Sequence, residues 1–287
     1  GKIAKVDKVV WQYFPDNTTA MNALMAGEVD FFEQPAPDLA PLLASNPDIT
    51  VEVNDPLGNI GFARFNHLLP PFDDADVRRA ALMAMKQEDY LAAAIGDPEF
   101  WKTCYSVYPC GTPLENDAGS DVMSTGDVEA AKAALAATGY DGTEVLIMQP
   151  TDIPVLSAFS LVTAEKLRNA GFNVNLEAMD WATLTSRRAL RDPVGEGGWN
   201  MFHTWWIGAD VIDPMAIAFS GDPDAGAIRR AVGGQHCRFI CAEPHARDGS
   251  AILLVLFCKA CIIFDAALNP AHSPVRLLRS SDESTFL

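Results

Sequence analysis

The strongest constraint on this chain is a hydrophobic period that keeps switching. Short β-branched or alternating runs give way, repeatedly, to longer stretches with apolar residues at helical spacing. Val6–Phe14 (VDKVVWQYF) is β-branched and aromatic and predicts a strand. Asp16-Asn17-Thr18-Thr19 offers capping side chains ahead of Ala20, Leu24 and Met25, and Gly27 ends the helix they begin. A short strand over Val29–Phe32, a helix over Asp38–Ala44 and strands over Ile49–Val53 and Asn59–Asn66 follow. Pro70-Pro71-Phe72 breaks the chain before helices at Asp73–Met85 and Glu88–Ile95, and the acids Asp73-Asp74 suit the positive end of the first. After a Cys- and Pro-rich loop from Asp97 to about Gly126, the pattern resumes. Helices are expected at Asp127–Thr138, Val155–Ala170 and Trp181–Leu190, and strands at Glu144–Met148, Phe172–Ala178 and Gly198–Trp206. Such alternation predicts an α/β architecture on a largely parallel sheet.

Charge narrows the function classes. Thirty-eight acidic against 21 basic residues give a formal charge of −17, a surface that repels phosphate backbones and argues against a nucleic-acid partner. The balance is uneven. Residues 1–226 hold 14 Lys/Arg and 33 Asp/Glu, a net of −19, whereas residues 227–287 hold 7 and 5, a net of +2. All six Trp precede residue 227, and four of the six Cys follow it. Gly1-Lys2-Ile3 carries neither an initiator Met nor a signal-like apolar run, so the sequence is expected to start partway through a longer polypeptide. No Gly-x-Ser-x-Gly, phosphate-binding loop, dinucleotide fingerprint or His-Glu-x-x-His motif is present, and the expectation is a protein that is not an enzyme and carries no cofactor.

Four segments together resemble the extracellular solute-binding proteins of ABC transporters, family 5, which serve oligopeptide, dipeptide and nickel importers. Asp16–Glu33 (DNTTAMNALMAGEVDFFE) is similar to the family's helix and Gly-Glu-Val-Asp strand. Phe65–Met85 (FNHLLPPFDDADVRRAALMAM) is similar to its Phe-Asn, Pro-Pro-Phe, Val-Arg signature. Asp121–Asp141 and Thr143–Met148 resemble its helix ending in Gly-Tyr-Asp-Gly and the strand after it. Trp205–Pro214 (WWIGADVIDP) resembles its binding-site segment. The resemblance implies a type II periplasmic-binding-protein-like fold. Residues 1–55 would be a returning part of the first lobe, and 56–226 most of the second α/β lobe. It further implies a monomer, periplasmic or lipid-tethered outside the cell, that hands a peptide or similar small solute to an ABC permease of the inner membrane. Since much of the first lobe would lie upstream of Gly1, the chain alone is expected to bind solute weakly or not at all.

Site residues follow from the same segments. On residue type alone an Asp at a strand end is more often a cap or turn residue. The resemblance implies that Asp210 pairs with a ligand's α-ammonium, a charge-assisted bond that a neutral ligand does not reproduce. Asp213 before Pro214 suits a helix N-cap. Trp205 and Trp206 alternate in direction on a strand, one ring toward a core and one toward a cleft, where stacking and cation–π contact contribute about 0.5–2 kcal/mol. Packing of both rings is the competing reading. Cys104 and Cys110 flank a short loop, and in an oxidising compartment they read as a disulfide worth roughly 2 kcal/mol, a pair that several family members share.

The tail offers other readings. His236, Cys237, Cys241, His245, Cys258 and Cys261 could supply a zinc site, and Ala251–Leu268 (AILLVLFCKACIIFDAAL) a membrane span. Either would suit a regulatory or interaction protein that reuses a receptor lobe. Cys258 and Cys261 sit within the apolar run, unlike a zinc knuckle, and Lys259 and Asp265 each cost about 2.5–3.5 kcal/mol near a bilayer centre. The expectation is no metal. Because the resemblance stops after Asp224, where charge, Trp and Cys usage all change, residues 227–287 are expected to be frameshifted or fused sequence.

Overall fold

The computed structural model describes residues 5–106, 108–123, 125–212, 255–258 and 262–266. These fall into two compact units that divide after Asn54 and again after residue 260.

In the first unit, the Asp16 carboxylate accepts the Thr19 N–H at 2.8 Å and starts helix α1 (Asn17–Met25). Gly27, at φ +71°, takes the left-handed conformation that ends it. A turn of 3-10 helix over Pro37–Leu39 leads into α2 (Ala40–Ala44), which packs on strand β1 (Ile49–Val53). The antiparallel partner of β1 is the strand Ile262–Ala266, β8 in chain order, with Ile49 opposite Ala266.

Two expected strands are absent here. Val6–Phe14 and Val29–Phe32 are irregular, and Trp11 and Tyr13 are 85% and 89% exposed. A strand needs a partner's backbone donors and acceptors, and β-propensity cannot supply them. Among the described residues neither segment has a ladder partner.

The second unit is a six-stranded sheet. Its strands are β2 (Asn59–Phe65), β3 (Trp101–Lys102), β4 (Val145–Pro150), β5 (Val174–Met179), β6 (Met201–Ile207) and β7 (Val255–Cys258), in the spatial order β3-β7-β2-β6-β4-β5. The expected largely parallel sheet is in fact mixed. β4 pairs in parallel with both β5 and β6, whereas β2 runs antiparallel to β6 and β7, and β7 antiparallel to β3. The parallel part is the part joined by helical crossovers, which is what such connections require.

Helices α3 (Ala75–Met83), α4 (Gln87–Ala94), α6 (Val128–Ala137) and α7 (Pro154–Asn169) cover one face of this sheet. A four-residue helix, α5 (Ser120–Met123), lies beside α3. Asp74 and Asp127 cap α3 and α6 by accepting the Asp76 and Ala130 N–H groups. The core on this side joins Ala63 and Phe65 of β2, Val145 and Ile147 of β4, and Met201 of β6 to Val77, Tyr90, Leu135, Phe159 and Leu167.

Helix α8 (Trp181–Arg187) covers part of the other face, where its Leu184 meets Leu146, Met148, Trp199 and Phe202. Two buried asparagines tie the entry of β6 to its neighbours. Asn200 accepts the Leu146 N–H and donates to the Pro70 carbonyl, both at 2.8 Å, and Asn66 donates to the Trp199 carbonyl at 2.8 Å. β6 is thereby fixed in register between β2 and β4.

Candidate functional site

β4, β5 and β6 are mutually parallel, so their carboxyl ends share one edge of the sheet. In open α/β sheets that edge is where ligands bind. β6 leaves it through a turn of 3-10 helix over Gly208–Val211, which holds Asp210. The turn is pinned at both ends. The Gly208 N–H donates to the Gly58 carbonyl at 2.7 Å, and a Cβ at Gly208 would lie 2.5 Å from Leu57 Cβ and 3.0 Å from the Leu57 backbone. Only glycine permits that approach. Val211 is buried, while Asp210 between these anchors is exposed.

The two tryptophans part company. Trp205, opposite Gly61 on β2, packs against the large helical core. Trp206, opposite Ile60, lies on the other face. There it packs with Tyr108 and Cys110 against a smaller cluster of Ile60, Phe62, Cys104 and Val211. Both rings are partly buried.

Cys104 and Cys110 form a disulfide with Cα atoms 5.9 Å apart. The fully buried Gln87 holds the first of them. Its Nε2 donates to the Cys104 carbonyl at 2.6 Å and its Oε1 accepts the Cys104 N–H at 2.7 Å, using both ends of one amide. Above this clamp the Tyr105 hydroxyl donates to the Glu88 carboxylate at 3.1 Å, and burial together with that carboxylate pushes the phenol up to about 12.

The face that carries Trp206 also carries cations. Arg64 is buried on β2 with its guanidinium 5.5 Å from the Phe62 ring centroid. Burial, and secondarily the neighbouring Arg188, bring its pKa down to about 9. Arg188 itself lies 5.7 Å from the Trp181 ring centroid and is lowered by burial. On the helical face, His203 Nε2 lies 2.8 Å from Thr163 Oγ1, which lies 2.9 Å from the Tyr90 hydroxyl. Burial pushes His203 down to about 3, so the ring is neutral and serves the packing.

Sequence reasoning missed four residues that shape this site: Gln87, Tyr108, Gly208 and Val211. Only Gly208 carried a local signal, a glycine at a strand end being a mark of close backbone approach. Asp213-Pro214 and the tail residues His236, Cys237, Cys241, His245 and Cys261 lie outside the described residues. Among the described residues no group of three or more His, Cys, Asp or Glu could hold a metal. Nor, among them, is any helix long and apolar enough to cross a membrane, and within Ala251–Leu268 the described elements are the strands β7 and β8.

The turn that holds Asp210 lies at the carboxyl edge of an α/β sheet, and comparison with known proteins assigns the family. Residues 1–224 match the bacterial extracellular solute-binding proteins, family 5 middle region, and the chain belongs to that family. It is 36% identical over 228 residues to the "Probable peptide ABC transporter periplasmic-binding protein y4tO" of Sinorhizobium fredii, covering 77% of this chain and 43% of the relative. The crystal structure of the ABC transporter substrate-binding protein CtaP from Listeria monocytogenes superposes with a TM-score of 0.67 at 17% identity, over 88% of this chain and 53% of that one. A dipeptide-binding protein from Pseudoalteromonas sp. SM9913, in complex with Met-Leu, gives 0.61 at 19% identity over 88% and 53%. These likenesses establish a type II periplasmic-binding-protein fold. The chain spans about half the length of the relatives it matches.

Proposed function

We propose that this chain is part of the substrate-binding component of an ABC importer, which captures a peptide or similar small solute and delivers it to the permease of the inner membrane. The observation that carries the reading is Asp210, an exposed carboxylate on a turn fixed by Gly208 and Val211 at the carboxyl edge of the sheet, with Trp206 four residues before it and packed against the cluster that holds Val211. A carboxylate so placed suits an α-ammonium, and an indole nearby favours the same charge. The action is capture without a catalytic step. Lobes close on the solute, and the closed form docks on the permease. The place of action is the periplasm or the outer side of a lipid-tethering membrane, and the working form is a monomer.

Titration of the chain with alanyl-alanine, followed by tryptophan fluorescence, tests the reading. The expected result is a weak, saturable response that disappears in Asp210→Asn and with N-acetyl-alanyl-alanine, which has no ammonium. A response of equal strength to the acetylated dipeptide contradicts it.

Residues 227–287 form a separate proposal, that they are frameshifted or fused sequence. The family match ends at residue 224, and charge, Trp and Cys usage change at that point. The pairing of β7 and β8 is compatible with this, because ladder bonds are backbone bonds and an apolar strand of any origin can fill them. Sequencing the coding DNA across codons 215–287 decides it. A family-like continuation in another frame supports a frameshift, and its absence from all three frames overturns that half of the proposal.

A further inference from the structure

We infer that the turn Asp55–Gly58, with which the chain enters the second unit, sets the position of Asp210, and that Asp55 is its positioning residue. The inference rests on reading Asp210 as the carboxylate that meets the solute.

The turn begins directly after Asn54, where the two units divide. Asp55-Pro56-Leu57-Gly58 holds the residues that a type I turn favours, Asp at the first position, Pro at the second and Gly at the fourth. The proline ring pre-sets the backbone at the second position. One residue then closes the turn twice. The Asp55 Oδ1 atom accepts the Leu57 N–H at 2.9 Å, and the Asp55 carbonyl accepts the Gly58 N–H at 3.0 Å. Asp55 and Leu57 are half-buried and Gly58 is buried, with φ at +65° as the chain passes into β2.

The turn supports a point that the ladder does not reach. The pairing of β2 with β6 runs from Phe65 opposite Met201 to Asn59 opposite Ile207, and it fixes β6 over that length. Gly208 lies one residue past the last pair, and its N–H goes to Gly58, the last residue of the turn, at 2.7 Å. Leu57 lies directly against it, close enough to leave no room for a Cβ on Gly208. At the far end Val211 is held in the cluster of Ile60, Phe62 and Cys104. The ladder therefore sets β6, the cluster sets Val211, and the Asp55 turn sets Gly208. Asp210 takes its place from the last two. Loss of the Asp55 side-chain bond leaves the turn with its backbone closure alone. The Leu57 surface and the Gly58 carbonyl are then less firmly placed, and Gly208 follows them while β6 stays in its ladder.

Hydrogen exchange read by mass spectrometry on the full chain tests this in the native sequence, Asp55→Ala and Asp55→Asn. The asparagine Oδ1 can accept the same Leu57 N–H without the charge. The expected result is exchange about fivefold faster at 208–211 in Asp55→Ala, with 201–207 unchanged and Asp55→Asn close to native. Equal exchange at 208–211 in Asp55→Ala and the native chain overturns the inference, since the ladder and Val211 would then suffice. Acceleration of equal size at 201–207 overturns it as well, because the turn would then support the whole strand. So does an Asp55→Asn variant as fast as Asp55→Ala, which would make the charge and not the turn bond the cause. Titration with alanyl-alanine separates this from the functional reading. A response weakened about fivefold in Asp55→Ala and restored in Asp55→Asn supports both, and equal responses in all three forms overturn the positioning role alone. If no form responds while 208–211 still loses protection in Asp55→Ala, the peptide reading fails and the support of Asp210 by the turn stands.

Discussion

The two faces of the six-stranded sheet are built on different terms. One is covered by four helices, its core is aromatic and aliphatic, and its polar chain of Tyr90, Thr163 and His203 is closed within it. The other is covered by α8, a disulfide loop and a 3-10 turn, with two smaller clusters and the buried cation Arg64 beside Phe62. Apolar area removed from water dominates stability, so the first face holds the unit together. The second, made of loops whose positions depend on a clamp, a bridge and a close glycine contact, can present a carboxylate and tune its setting. The neighbours Trp205 and Trp206 belong one to each face.

The largest effect should come from the helical face. Phe159 is buried edge-on to Tyr90 and His203, with ring centroids 6.0 and 5.8 Å away. Phe159→Ala should cost about 3–5 kcal/mol in urea denaturation. A loss under 1 kcal/mol would remove the contrast between the faces.

Next comes His203. Its pKa is depressed from 6.5 to about 3 by burial, so the unfolded chain takes up its proton at a higher pH than the folded one. The stability that neutral His203 contributes is fully present above about pH 6.5 and is lost progressively as pH falls towards 3. Thermal melts between pH 7 and 4 should therefore fall more steeply for the native chain than for His203→Leu, in which Tyr90 and Thr163 still pair.

A smaller and more local effect is expected at Gly208. Gly208→Ala drives a Cβ against Leu57 and should cost about 1–3 kcal/mol. It should also weaken the dipeptide response more than Phe159→Ala does, and a reversed order would place the fragile element on the wrong face.

Much of this architecture was legible in the sequence because its signals are local. Asp16 and Asp74 cap helices that the apolar spacing marks, Gly27 and Gly171 stop helices at positive φ, and Ile49–Val53 alternates as the strand it forms. The errors fall where structure depends on a partner distant in sequence. Val6–Phe14 has strand composition and no ladder to join, and the sheet's antiparallel half is set by which strand lies beside β2. At the candidate site, Asp210 and both tryptophans are expected only through a family resemblance. The support beneath them is not legible, because Gln87 meets Cys104, and Trp206 and Tyr108 meet one cluster, through the fold, and neither leaves a spacing to read.

The most direct test of the account sets the adjacent tryptophans against each other. Trp205→Phe and Trp206→Phe are compared in urea denaturation and in alanyl-alanine titration. Trp205→Phe should lower stability and leave the dipeptide response nearly intact, whereas Trp206→Phe should weaken the response with little change in stability. If both variants shift the same quantity by the same amount, the division of labour between the two faces is contradicted.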